Sequence, residues 1–206
     1  MKIQIASSRP LGKQIKVIAE KLAENTDIEF VNENPDIFIS VLYDKLIFKE
    51  FIDSVPLGCY NFHPGYLPNF RGCGACSWAI IEGCKMGGIT LHKIDEGIDS
   101  GDIIDYKYFK IEDTDTGYNV WQKSNQAILE LFESYFIKIV KKNIGLKAKK
   151  QDLSKGKVYS REMLREALNL TNRPIAEWPL YIRAFYFPHK ELPYIEINNQ
   201  RYYLSI

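Results

Sequence analysis

At 206 residues with a formal net charge of +1, the chain is long enough for one domain with a small appendage and a real buried core, and its charge calls for neither nucleic acid nor a membrane surface. No apolar run approaches the roughly eighteen residues of a membrane span, and the opening MKIQIASSRPLGKQ has no long apolar stretch, so no signal peptide is expected. The four cysteines then read as reduced thiols in the cytoplasm.

Residues 2–6 (KIQIA) read as a first strand, and 12–24 as an amphipathic helix with Ile15, Ile18, Ala19 and Leu22 on one face. Residues 28–31 and 36–42 read as strands, the second (DIFISVL) so apolar that a central, parallel position is expected. A short helix is expected over 45–52, a strand over 58–62, a helix over 74–84, and strands over 88–94 and 102–109. The longest helix spans about 116–142, with Ile128, Leu131, Phe132, Tyr135, Phe136 and Ile139 at helical spacing. Alternating strands and helices imply an α/β fold, a Rossmann-like and mostly parallel sheet. Such sheets bind ligands beyond the C-terminal ends of their strands.

Residues 141–157 carry seven lysines and two glycines and mark a boundary, with residues 1–142 as the larger unit and 143–206 as linker and small C-terminal subdomain. With no aromatics interleaved, the lysine run reads as a solvated loop rather than a phosphate or nucleic-acid patch. The appendage is expected to be α+β, with helices over 160–170 and 174–186 and a terminal hairpin over 193–205 that turns at Asn198-Asn199. That hairpin closes its own domain or pairs with a second copy, which leaves a homodimer open.

Two strings carry the chemistry, NFHPGYLPNFRG (61–72) and LHKIDEGIDSGDI (91–103). Asn61 and His63 fall at the C-terminal end of the 58–62 strand, and the Asp99 turn can be brought beside them. An amide side chain can donate to a developing oxyanion, a histidine can give or take a proton, and a carboxylate can fix that histidine's charge state. His92, within a strand, and His189, after Pro188, read as structural. Cys73 and Cys76 form a single CxxC pair, whereas structural zinc sites usually combine two such pairs, so no metal is expected.

These strings resemble the N10-formyltetrahydrofolate-dependent formyltransferases. The resemblance rests on Asn61, His63, Pro64, Leu67-Pro68, Arg71-Gly72 and the run Asp99-Ser100-Gly101-Asp102-Ile103, and it covers roughly residues 36–140. It implies a Rossmann-like catalytic domain, Asn61, His63 and Asp99 as catalytic residues, and N10-formyltetrahydrofolate as co-substrate without a metal. It also implies that backbone groups of Ile94, Asp95, Glu96 and Gly97 meet the pterin, with Lys45 and Ile47 on the facing loop. Arg9, Tyr66 and Arg71 are the candidate acceptor contacts.

The acceptor is suggested by smaller features. Ser7-Ser8-Arg9-Pro10-Leu11-Gly12 holds one glycine, unlike the Gly-rich phosphate loop of glycinamide ribonucleotide transformylases. Pro64-Gly65-Tyr66-Leu67-Pro68 and IRAFYFP (182–188) look like the sugar N-formyltransferases, and 206 residues are fewer than methionyl-tRNA formyltransferases carry. The expected acceptor is a UDP- or dTDP-linked 4-amino-deoxysugar. Glycinamide ribonucleotide or another small amine is the alternative. A folate or sugar-nucleotide binding module without turnover, or a zinc-stabilised interaction domain, are rivals of another class.

Overall fold

The computed structural model describes residues 1–141 and 146–206. The boundary expected at 142/143 lies outside the described residues.

Six strands form one twisted sheet: β1 (Lys2–Ala6), β2 (Glu29–Phe30), β3 (Ile37–Val41), β4 (Cys59–His63), β6 (Met86–Lys93) and β7 (Ile103–Lys110). Their spatial order is β2-β1-β3-β4-β6-β7. The first four run parallel, and β6 and β7 run antiparallel to their neighbours. All five residues of β3 are buried, as its apolar run requires for a strand covered on both faces. The sheet carries α1 (Leu11–Leu22), α2 (Lys49–Ser54), α3 (Ala75–Ile81) and α4 (Gly117–Val140). Helix α4 starts where its sequence says it should: Thr116 Oγ1 accepts the Asn119 N–H, and Asn119 Oδ1 accepts the Thr116 N–H, a capping box. Its buried stripe lays Phe132 and Phe136 on the sheet, with Phe62 of β4 5.4 Å from Phe132, in a core shared with Ile3, Ile15, Ile37, Ile39 and Leu91.

The helix expected over 45–52 begins only at Lys49. Leu42 takes a left-handed φ of 52°, and Asp44 is tied to Ser8, accepting the Ser8 hydroxyl on Oδ1 and giving its own N–H to Ser8 Oγ. These bonds hold 42–44 as loop and postpone the helix.

Two short strands were invisible to periodicity. They are β5 (Phe70–Gly72) and β8 (Lys157–Tyr159), which pair in parallel as a separate ribbon. Three residues are too few to show alternation, and glycines flank both. The described lysines of 141–157 are exposed, as a solvated loop requires, but the stretch is tied down at two points. Lys149 exchanges both backbone hydrogen bonds with Ile103, and Gln151 is buried. Beyond β8 come α5 (Arg161–Leu168), capped by Ser160 Oγ, a short 3₁₀ turn at Ile175–Glu177, and α6 (Trp178–Phe185). They pack with α3 in a second, aromatic core, where Trp78 stacks on Tyr159 at 4.6 Å and meets Phe185 edge-on. The chain ends in the hairpin β9 (Tyr194–Ile197) and β10 (Gln200–Tyr203). Asn198 and Asn199 both adopt positive φ there, as a type I′ turn demands.

Candidate active site

Strand alternation puts Asn61 and His63 on one side of β4, at its C-terminal end. The antiparallel register sets His92 of β6 directly opposite Asn61, so the two side chains meet. Asn61 Nδ2 lies 3.1 Å from His92 Nε2 and donates to Asp99 Oδ1 at 3.3 Å. His92 Nδ1 donates to the Lys93 carbonyl at 2.6 Å, which leaves Nε2 free to accept from Asn61. His63 Nδ1 lies 3.3 Å from Asp99 Oδ2, and its Nε2 lies 2.6 Å from the Phe70 carbonyl. Asp99 Oδ2 also accepts the Gly72 N–H at 2.8 Å. Two residues of one strand and a third from a distant turn are thus joined through one carboxylate.

The carboxylate is aimed by its turn. Asp99 itself has φ 48°, a left-handed conformation that Asp tolerates better than most residues. Two glycines make room. A Cβ on Gly101 would lie 2.0 Å from the Lys93 carbonyl oxygen, and one on Gly72 would lie 2.4 Å from that of Tyr159. Larger residues at either position would push the turn or β5 away from His63.

Protonation follows from these surroundings. Burial by itself raises the Asp99 pKa, but attraction to His63, the His92 contacts and the Gly72 N–H outweigh it and hold the carboxyl well below its usual range. Burial, helped by His92, pulls His63 below the ordinary imidazole value against the opposing pull of Asp99 and the Phe70 carbonyl. His63 is only 3% exposed. At neutral pH the pair is an ionised carboxylate beside a neutral imidazole, which can accept a proton and share the resulting charge with its partner. An amide donor stands beside both.

The remaining candidates fall in two groups. Ile47 and Ile94 come together, packed on Phe38, Val55 and Cys59 in a small apolar cluster next to β4. The Ile94 N–H is bound to the Cys59 carbonyl at 2.8 Å. Asp95 Oδ1 accepts from the Gly97 N–H and the Ser100 hydroxyl, shaping the turn, and Glu96 pairs with Lys49 at 3.0 Å. Lys45 and Gly97 are exposed. Arg71, on β5, donates to the Leu153 carbonyl at 3.4 Å. Tyr66 packs at a tilt against Tyr106 and Tyr108, with ring centroids 5.0 and 5.6 Å away, and Arg9 is exposed on the loop after β1. Among the described residues, Lys45, Arg9 and Tyr66 share no hydrogen bond or ion pair with Asn61, His63 or Asp99.

Sequence reasoning passed over His92, taken as structural, and Gln151. The strand register could have paired His92 with Asn61, but nothing in a lysine-rich stretch singles out Gln151. Burial pushes the Cys59 and Cys76 thiols up to about 12, so both are protonated at neutral pH. Among the described residues no group of three or more His, Cys, Asp or Glu is placed to hold a metal ion, and no helix is long and apolar enough to cross a membrane.

Residues 13–133 match the family described as Formyl transferase, and the chain belongs to that family. The methionyl-tRNA formyltransferase of Borreliella afzelii is 30% identical over 178 residues, 82% of this chain and 56% of that protein, so the chain spans little more than half of it. The GDP-perosamine N-formyltransferase of Brucella melitensis is 27% identical over 173 residues, 84% of this chain and 65% of that protein. Among solved structures, the sugar N-formyltransferase of Shewanella sp. FDAARGOS_354 has a TM-score of 0.85 at 19% identity, covering 100% of this chain and 97% of that one. The N-formyltransferase of Helicobacter canadensis, solved with folinic acid and dTDP-3-aminofucose, has a TM-score of 0.75 at 21% identity, covering 98% and 86%. At these identities the structural likeness establishes the shared fold.

Proposed function

We propose that this protein transfers a formyl group from N10-formyltetrahydrofolate to the amino group of a nucleotide-linked 4-amino-deoxysugar. The observation that carries this reading is the Asn61–His63–Asp99 cluster at the C-terminal end of β4, in a chain of the formyl transferase family. The sugar acceptor is supported by the match along nearly the whole length of a sugar N-formyltransferase and by a relative that formylates GDP-perosamine.

In the proposed reaction the neutral amine attacks the formyl carbon. A C–N bond forms, and negative charge develops on the former carbonyl oxygen. Asn61 turns one N–H from Asp99 toward that oxygen, and such a donor contributes about 10²–10³ in rate. His63, neutral and backed by Asp99, takes the proton lost by the attacking nitrogen. The bond to N10 then breaks, and N10 leaves with a proton, so the net proton transfer is from amine to N10. Acid–base help of this kind contributes about 10²–10⁴. The Ile47–Ile94 cluster and the turn at 94–98 fit a flat heterocycle with apolar faces and polar edges, the Ile side chains meeting a face and backbone groups an edge. Both substrates are water-soluble metabolites, which fits a cytoplasmic enzyme.

The test is a formyl-transfer assay with N10-formyltetrahydrofolate against GDP-, UDP- and dTDP-linked amino sugars, with glycinamide ribonucleotide and methionyl-tRNA alongside. Tetrahydrofolate release with a sugar nucleotide supports the reading. Turnover with methionyl-tRNA alone, or glycinamide ribonucleotide alone, overturns the acceptor and keeps the reaction. Tight folate binding with no release for any acceptor favours a binding module.

A further inference from the structure

Gln151 makes its hydrogen bonds to backbone carbonyls rather than to the side chains of Asn61, His63 or Asp99, yet it grips the turn that carries one of them. It is 6% exposed, and its Nε2 donates to the Asp99 carbonyl at 2.9 Å and to the Gly101 carbonyl at 2.6 Å. Both partners are acceptors, so only the NH₂ end of the amide fits there. The two bonds straddle Ser100 and pin both ends of a three-residue turn whose first member has a left-handed backbone. Such a conformation persists only where its surroundings over-determine it.

The chain on either side of Gln151 is fixed as well. Lys149 and Ile103 exchange backbone hydrogen bonds of 2.7 and 2.8 Å. A few residues on, β8 pairs with β5, and β5 supplies the Phe70 carbonyl to His63 Nε2 and the Gly72 N–H to Asp99 Oδ2. One segment, 149–159, therefore holds both supports of the catalytic pair: the turn behind Asp99 and the strand in front of it. The groups facing the carboxylate are His63 and Asn61 from β4, His92 from β6 and the Gly72 N–H from β5. None of them replaces the grip on the turn's carbonyls.

We propose that Gln151 is a positioning residue for formyl transfer, setting the Asp99 turn so that the carboxylate meets His63. The proposal rests on the formyl-transfer reading for its kinetic arm only. Gln151→Met keeps length and removes both donors. Its kcat is expected to fall roughly 10–100-fold, the cost of misplacing a reacting group by about an ångström, with little change in either KM. In the substrate-free protein, NMR titration of the His63 ring gives the second readout. With Asp99 displaced, its attraction is lost and the His63 midpoint moves further down. Lys147→Ala, an exposed change two residues before that segment, leaves both readouts at the parent value.

A folded Gln151→Met variant with parent kcat and an unmoved His63 midpoint overturns the proposal, even if its melting temperature has dropped. Should that variant not fold, Gln151→Glu keeps the shape. Its carboxyl can donate only when protonated, so its activity relative to the parent rises as pH falls, and a ratio independent of pH overturns the proposal. If the parent transfers no formyl group to any acceptor, the functional reading fails while the His63 titration still decides the role of Gln151.

Discussion

The two larger hydrophobic cores among the described residues are built differently. The first is aliphatic with a few phenylalanines, and it joins β1, β3, β4 and β6 to α1 and α4. The second is aromatic and gathers Phe70, Trp78, Val120, Tyr159, Tyr181 and Phe185 from stretches far apart in the chain. Asn61 and His63 stand on β4, whose Tyr60 and Phe62 belong to the first core. The backbone groups that hold His63 and Asp99 from the other side, the Phe70 carbonyl and the Gly72 N–H, belong to β5 at the edge of the second. The site thus lies on the seam. One core's strand carries the side chains proposed to react, and the other supplies their support.

Changes to the reactive side chains break this comparison most sharply. His63→Ala and Asp99→Asn are each expected to lower kcat by about 10²–10⁴, and Asn61→Ala by about 10²–10³, as measured by tetrahydrofolate release with the variants' circular dichroism unchanged. A fall confined to KM would instead assign these residues to binding.

Core truncations come next. Phe132→Ala in the first core and Trp78→Ala in the second each remove a buried ring and are expected to destabilise by about 3–5 kcal/mol in denaturant unfolding. They should part company in activity. Trp78 stacks on Tyr159, the residue of β8 paired with Gly72, so its loss also loosens the support of Asp99 and lowers kcat under conditions where the variant is still folded. Phe132→Ala under the same conditions stays near the parent rate. Equal rates for the two would erase the distinction between the cores.

Acid sensitivity is a smaller effect of the seam. Asp99 and His63 both bind protons less readily folded than unfolded, so the unfolded chain takes up more protons and stability falls with falling pH. Their contributions are fully present above the unfolded values. That of His63 is lost as pH falls from about 6.5 toward its lower folded value, and that of Asp99 as pH falls below about 3.8. Thermal melts of the parent and of Asp99→Asn should converge in acid, and a constant gap between them would argue against the buried pair. The smallest change is Glu96→Gln, which removes an exposed ion pair with Lys49. Melting temperature is expected to stay put, and any effect to appear in the KM for the folate, which would tie the 94–97 turn to that substrate.

The same contrast explains what could be read in advance. The first core was legible because its strands and helices carry their own periodicity: β3 is continuously apolar, and α4 repeats Ile128, Leu131, Phe132, Tyr135 and Phe136. Asn61, His63 and Asp99 stood out as residue types, and as a set through the resemblance of the strings around them to the formyltransferases. The second core was not, because its contacts are tertiary. Nothing local in the FRG or KVY segments announces three-residue strands that pair across more than eighty residues, and Gln151 sits among lysines whose charge reads as solvation. Strand pairing, not pattern, brought His92 to Asn61.

The measurement that tests the central claim most directly is the steady-state rate of formyl transfer from N10-formyltetrahydrofolate to nucleotide-linked amino sugars by the parent and by Asp99→Asn. Turnover by the parent, with kcat reduced by about two orders of magnitude or more in the folded variant, is the predicted result. An Asp99→Asn protein that transfers the formyl group as fast as the parent would contradict it.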